Sequence, residues 1–124
     1  MSEATIDKPA FYKKDELPEH LKAEMTQQVL TGRQGMVVWS KINAGMYTAG
    51  HKHPNEQITW LISGRMDFRL GDQPVRTCVG GDLVLIPGGV EHEAWYTDDC
   101  ELIEFFTPPR VDLYPAAEYS AFGL

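Results

Sequence analysis

Residues 50–96 read GHKHPNEQITWLISGRMDFRLGDQPVRTCVGGDLVLIPGGVEHEAWY, a succession of short apolar runs separated by Gly and Pro. Residues 57–62 and 83–86 are rich in β-branched and other apolar side chains, and residues 66–70 alternate apolar and polar positions, as a half-buried strand does. Turn-forming residues, such as the Pro-Gly-Gly at 87–89, end each run. Short strands at this spacing predict an all-β fold, either a sandwich or a barrel.

The same pattern continues on both sides of this stretch. Further strand-like runs cover residues 36–39, 75–79, 93–96 and 100–106. We therefore predict one barrel domain over residues 31–110. A polar N-terminal arm over residues 1–30, with at most one short helical turn near Pro18 to Met25, precedes it. A tail over residues 111–124, with aromatic side chains, is expected to pack on the barrel or on a second subunit.

Composition and charge narrow the class of protein. The 124 residues carry a formal net charge of −7, which argues against nucleic acid or an anionic membrane surface as the main partner. The first thirty residues have no apolar stretch typical of an export signal, and no apolar run approaches the length of a membrane span. The two cysteines, Cys78 and Cys100, form no close pair and are expected to be reduced thiols. A cytoplasmic protein that acts on a small molecule is the expectation.

Three of the four histidines form a candidate metal site. His51 and His53 are two residues apart, so on a strand both imidazoles point to the same face. His92 follows a Pro-Gly-Gly turn, from which it can reach the same place on a neighbouring strand. Neutral imidazole binds Zn, Cu, Fe and Ni well. From spacing alone, three solvated surface histidines are an equally good interpretation.

The glycines around these histidines complete two motifs. The motifs are Gly45-x5-His51-x-His53-x3-Gln57-x6-Gly64 and Gly81-x5-Pro87-x-Gly89-x2-His92. In both, the chain resembles the cupin superfamily, which implies a jelly-roll β-barrel of two packed antiparallel sheets around one divalent transition metal. The resemblance implies His51, His53, Gln57 and His92 as ligands, although many cupins have Glu at the position of Gln57 and Asn at that of Tyr96. The metal is left open among Ni, Fe, Mn, Zn and Co.

The segment EFFTPPR, residues 104–110, offers an acid, an aromatic ring and a guanidinium behind two prolines. Strand alternation places Glu104 and Phe106 on one face, which is either the barrel interior or solvent. With HKHPNEQ at 51–57, the segment resembles the pectin-degradation cupins, which open the ring of unsaturated monouronates. That resemblance implies substrate binding and proton transfer by Glu104, Phe106 and Arg110. Trp60 and Tyr96, close to the metal motifs, are the residues expected to line the substrate pocket.

Three functions remain open from the sequence. The first is a metal-dependent lyase or isomerase acting on a small carboxylate-bearing substrate such as an unsaturated uronate. The second is a dioxygenase of the three-histidine type that cleaves a diketone or a similar chelating substrate. The third is a non-catalytic cupin that binds a small molecule. Family habit adds the expectation of a homodimer, with the N-terminal residues and the tail covering strand edges.

Overall fold

The computed structural model describes residues 9–112 and shows ten β-strands and one 3-10 turn in this range. The turn covers Lys14–Glu16, and the strands are β1 (His20–Lys22), β2 (Met25–Thr31), β3 (Met36–Ile42), β4 (Tyr47–His51), β5 (Glu56–Ser63), β6 (Arg65–Leu70), β7 (Arg76–Val79), β8 (Leu83–Ile86), β9 (His92–Tyr96) and β10 (Cys100–Thr107). The predicted all-β fold is confirmed.

The strands form two antiparallel sheets that face each other. The larger sheet has the order β1-β2-β3-β10-β5-β8, and the smaller has the order β4-β9-β6-β7. Strand β10 lies at the centre of the larger sheet and pairs along its length with both β3 and β5. This is the jelly-roll arrangement that the sequence resemblance implies.

Inward-facing side chains change character along the central strands. On β5 the inward-facing side chains are, in chain order, Gln57, Thr59 and Leu61, so polar residues come first. On β10, which runs the opposite way, the apolar Leu102 comes before Glu104. The apolar ends of these two strands contribute Leu61 and Leu102 to the main core. There they pack with Met66 and Ile86, and each of the four side chains is at most 1% exposed. The polar ends of the two strands lie at the other end of the barrel, where they line a cavity.

The N-terminal part of the chain differs from the prediction. No helical turn forms near Pro18 to Met25, where the structure has β1 and the start of β2, and the turn lies earlier, at Lys14–Glu16. Strand β2 pairs with β3 over all seven of its residues, so the larger sheet begins at His20 and the predicted boundary at residue 30 falls inside β2. The sheet explains the difference. By pairing with each other and with β3, strands β1 and β2 satisfy the hydrogen bonds of their backbone groups.

Of the predicted C-terminal tail over residues 111–124, residues 113–124 lie outside the described part of the chain. Within residues 9–112, no helix is long and apolar enough to cross a membrane.

Candidate metal centre

The cavity at the polar end of the barrel has a volume of about 530 Å³. Both sheets contribute to its wall, and so do Lys22 and Ala23 from the hairpin between β1 and β2. Three basic side chains, Lys22, Lys52 and Arg110, line it together with two acidic ones, Glu93 and Glu104. The lysine ammonium and arginine guanidinium groups are the donors that suit a carboxylate.

Three histidines meet beside this cavity, and two of them, His51 and His92, line it. His51 ends β4 and pairs across the sheet with His92, the first residue of β9. His53 lies past the end of β4, in the segment 52–55 that we call the metal loop, and not on the strand as the sequence analysis expected. The ring centroids are 4.3 to 5.7 Å apart, and one ring nitrogen from each residue lies within 4.8 Å of the others. The structure therefore brings the three predicted histidine ligands together.

Backbone carbonyls fix the tautomer of all three imidazoles. Nδ1 of His51 is 2.9 Å from the carbonyl oxygen of Ala49, and Nδ1 of His92 is 3.0 Å from that of Val90. Nδ1 of His53 is bonded in the same way to a carbonyl of the metal loop, at 3.1 Å. A carbonyl oxygen only accepts hydrogen bonds, so each Nδ1 donates and each Nε2 keeps its lone pair. A histidine that binds a metal through one ring nitrogen typically donates a hydrogen bond from the other, and this bond orients the ring.

The three imidazoles fit a divalent transition metal. Among the described residues, Nε2 of His92 has no hydrogen-bond partner although it is buried, which a bound cation would explain. Burial lowers the pKa of His92 to about 4 and also lowers the pKa of His53. Both rings are therefore neutral at pH 7, the form that binds a metal.

Gln57 connects this cluster to the acid on β10. Its amide nitrogen donates to Thr59 Oγ1 at 2.9 Å and to Glu104 Oε2 at 2.7 Å, which fixes the orientation of the amide. Its Oε1 then lies 3.0 Å from Nε2 of His53. Two lone pairs face each other there, and a cation beside them would relieve their repulsion. This geometry supports Gln57 as the predicted fourth ligand.

Glu104 faces the barrel interior and lines the cavity. Burial raises the pKa of its carboxyl group to about 7, against the opposing effect of Arg110 and Lys22. Glu93, at the cavity mouth, is different: the Tyr47 hydroxyl and the Arg69 guanidinium both donate to it and lower its pKa. Of these two carboxyl groups, Glu104 is the one that can exchange a proton near neutral pH.

Arg110 is buried, with 6% of its surface exposed, and lies over the Phe106 ring at 5.5 Å. Phe106 and Arg110 both line the cavity. The guanidinium already has a bidentate partner, since Nε and Nη2 bond to the carboxylate of Asp112 at 3.1 and 3.0 Å. The Asp112 side chain is largely exposed.

Asn55, which the sequence analysis did not single out, joins the metal loop to the turn that carries Arg110. Its backbone oxygen accepts the hydrogen bond from His53 Nδ1, and its side-chain amide donates to the Pro108 carbonyl at 2.7 Å. Gly88 supports the loop from the other side, because a Cβ there would lie 2.3 Å from the carbonyl oxygen of Pro54. No sequence pattern marks Asn55, since its role depends on contacts with a distant turn.

Of the two residues predicted to line the substrate pocket, one does and the other does not. Tyr96 is buried and lines the cavity. The expectation for Trp60 is wrong: it is 41% exposed on the outside of the larger sheet. Since Gln57 points inward and side chains alternate along β5, position 60 must point outward. Lys22 and Thr59 are cavity residues that the sequence analysis missed, and strand alternation from Gln57 would have found Thr59.

Comparison with known families identifies the fold family. The cupin-domain family model matches residues 38–106. The chain is a cupin. This confirms the predicted resemblance to the superfamily.

Solved structures agree with this assignment. The fold is similar to KdgF from a Halomonas species (TM-score 0.76, 23% identity, covering 84% of this chain and 99% of that one). It is also similar to an RmlC-like cupin from Shewanella frigidimarina (TM-score 0.77, 21% identity, covering 86% and 96%). At these identities the likeness shows the fold alone.

A curated relative matches over a shorter stretch. It is dimethylsulfoniopropionate lyase DddQ from Ruegeria pomeroyi, which is 37% identical over 49 residues, or 40% of this chain. The match spans about a quarter of the length of that relative (24%).

Proposed function

We propose that this cupin is a metal-dependent enzyme of the lyase or isomerase type, acting on a small carboxylate-bearing substrate such as an unsaturated uronate. One observation carries the proposal: Glu104 and Arg110 line the same cavity as His51 and His92, with which His53 forms a three-histidine cluster. An acid with a pKa near neutrality, an anion-binding group and a metal site are the components needed for proton transfer next to a carboxylate.

Each residue has a distinct role in this proposal. The histidines and Gln57 hold a divalent transition ion, which when bound supplies Lewis acidity for a substrate oxygen. Arg110 binds the substrate carboxylate, either with the part of its guanidinium not bonded to Asp112 or by displacing the Asp112 side chain. Glu104 takes up and returns the proton. Gln57, by donating to Glu104, holds the carboxylate in position.

The comparisons support the lyase class without defining the substrate. The DddQ relative is named a lyase, and its named substrate is itself a small carboxylate. Lys22 and Lys52, which line the cavity, can pair with a substrate carboxylate. The likeness to KdgF supports the fold of the barrel.

Turnover with defined metals tests the proposal. The purified chain, reconstituted separately with Ni, Fe, Mn, Zn or Co, is assayed with unsaturated uronates and with dimethylsulfoniopropionate. We expect Glu104→Gln to lower kcat by roughly 10²–10⁴-fold with little change in KM, and Arg110→Ala mainly to raise KM. Glu101→Gln, on the outer face of the same strand, is the matched control and should keep full activity. A fully active Glu104→Gln enzyme would rule out this role for Glu104.

A dioxygenase is the second candidate, because three imidazoles and an amide form a donor set without a carboxylate. A dioxygenase would be favoured if the iron-loaded protein consumed oxygen with a diketone and showed no turnover of uronates. Binding of small acids without turnover under any condition would instead favour a non-catalytic binding protein. We further propose a cytoplasmic homodimer that binds neither nucleic acid nor membranes.

A further inference from the structure

One arginine on the outer face of the smaller sheet binds the segments that carry two of the histidines. Arg69 on β6 donates from Nε to Glu93 at 2.8 Å and from Nη2 to Glu91 at 2.7 Å. Its third nitrogen, Nη1, donates to the carbonyl oxygen of Gly71 at 3.0 Å. All three nitrogens of the guanidinium therefore have acceptors. We call Arg69, Glu91 and Glu93 the Arg69 cluster.

The two acids of the cluster are the residues on either side of His92. In the ladder between β6 and β9, Arg69 lies opposite Glu93, and the next pair contains His92. Side chains alternate along a strand, so Glu93 points to the outer face while His92 points into the barrel. The bonds from Arg69 to residues 91 and 93 therefore restrain the backbone that carries the His92 imidazole.

The cluster also lies against the part of β4 that carries His51. The ladder between β4 and β9 has a β-bulge there, in which two residues, Ala49 and Gly50, lie opposite Glu93 alone. A bulge redirects the side chain that follows it, and the Ala49 carbonyl oxygen is also the acceptor for Nδ1 of His51. Gly50 leaves room for the guanidinium, because a Cβ there would lie 3.0 Å from Nη2 of Arg69.

The cluster is better shielded from water than an ordinary surface ion pair. The side chains of Arg69 and Glu93 are only 26% and 16% exposed. The Tyr47 hydroxyl on β4 donates to the same Glu93 carboxylate, so this acid connects β4, β9 and β6. An isolated exposed ion pair contributes little, whereas charge-assisted bonds from all sides of a planar guanidinium fix a geometry.

We infer that Arg69 is a positioning residue of the metal centre. By restraining the backbone beside His92 and His51, it sets the direction in which their Nε2 atoms point. The inference rests on the metal centre of the proposed function, and it adds a residue that is not among those lining the cavity.

The sign of the effect separates positioning from a simple influence of charge. Arg69 is a cation behind the metal centre, so the loss of its charge alone would strengthen the binding of a metal cation. The loss of positioning would weaken that binding, as happens when the outer contacts of metal ligands are removed. The two explanations therefore predict opposite changes in metal affinity.

Zinc affinity of the full chain, measured by competition with a chelator, tests the inference. Arg69→Met has no hydrogen-bond donor in its side chain and should weaken zinc binding about 10–100-fold. Arg69→Lys should recover only part of this loss, because a single ammonium group does not replace a planar fork. Arg65→Met is the matched control, since Arg65 is exposed at the start of the same strand and its loss removes the same charge. It should bind zinc as the wild type does.

Two further measurements distinguish positioning from a general loss of stability. The visible absorption spectrum of the cobalt-loaded protein reports the arrangement of the ligands, and it should change in Arg69→Met but not in Arg65→Met. Gly50→Ala displaces the guanidinium without removing its charge. It should weaken zinc binding in the wild type and have little further effect in Arg69→Met, because the group it displaces is then absent.

Zinc binding by Arg69→Met that equals or exceeds that of the wild type would overturn the inference, and so would an equal loss in Arg65→Met. Additive losses from Gly50→Ala and Arg69→Met would contradict it as well. Urea unfolding verifies that each variant is folded in the assay, and if Arg69→Met is not, Arg69→Lys and Gly50→Ala decide. A wild-type chain that binds neither zinc nor cobalt would overturn the proposed metal centre too, whereas normal wild-type binding beside an unaffected Arg69→Met overturns this inference alone.

Discussion

Replacing Glu104 by glutamine in the metal-free protein should stabilise the fold by an amount that grows from pH 4.5 and reaches its full value above pH 7. In the folded chain the carboxyl group has a pKa of about 7 because it is buried, compared with an ordinary value of 4.5 that applies to the unfolded chain. Folding therefore favours the protonated form. Below pH 4.5 the group is neutral in both states and costs nothing, and as the pH rises from 4.5 to 7 the folded state retains a proton that the unfolded state has lost.

The magnitude follows from these two pKa values. One pH unit corresponds to about 1.4 kcal/mol, so the buried carboxylate lowers the free energy of unfolding by about 3 kcal/mol above pH 7. Glutamine has nearly the same shape, stays neutral and can still accept the hydrogen bond from Gln57. The two proteins should be equally stable near pH 4.5, and the variant should be more stable by about 3 kcal/mol at pH 8.

Urea unfolding of both proteins between pH 4.5 and 8, with chelator present, measures this difference. His53 and His92 have lowered pKa values, so their contribution to stability is present above pH 6.5 and is lost as the pH falls. That contribution is common to both proteins and cancels in the difference. A difference that does not change with pH, or a variant that is less stable at pH 8, would refute the burial of Glu104 described above.

Alanine at any one of the three clustered histidines should remove most of the bound metal, measured by elemental analysis after dialysis, while His20→Ala keeps it; full retention in all three cluster variants would contradict the site. Asn55→Ala should lower the free energy of unfolding by about 1–2 kcal/mol through the lost bond to the Pro108 carbonyl, and a change below 0.5 kcal/mol in a urea titration would count against that bond. Gly88→Ala should weaken zinc binding at least tenfold in a competition assay with a chelator, because its Cβ would press on the metal loop, whereas Gly32→Ala, whose Cβ has ordinary contacts, should bind zinc normally.

The sequence predicts well where local pattern and tertiary environment agree. The runs that became β5, β6 and β8 alternate or are apolar, and their bounds match closely. Strand β2 was missed because its buried residues include Gln27, which looks polar but bonds to Ser40 at 3.0 Å inside the sheet. A polar residue whose partner is thirteen positions away gives no local signal of burial.

The candidate site follows the same division. The three histidines were predictable from their motifs, and the structure brings them together in one cluster. Arg110 was predictable as an anion-binding group, but its pairing with Asp112 was not, because two opposite charges two positions apart in a sequence do not reveal whether they bond to each other. Trp60 shows the opposite case: the alternation that placed Gln57 inward was sufficient to place Trp60 outward, and proximity to the motif misled.

Strands β5 and β10 present different chemistry on alternate residues, with Gln57 and Glu104 inward and Ile58 and Phe105 outward. A point substitution on one face of these two strands therefore leaves the side chains of the other face unchanged. Insertions and deletions are a different matter. Adding one residue between Gln57 and Thr59 would reverse the direction of every later side chain of β5, so that Trp60 would point inward and Thr59 outward. Variation in the length of this protein should therefore be found in its turns and ends, and these two strands should keep a constant number of residues.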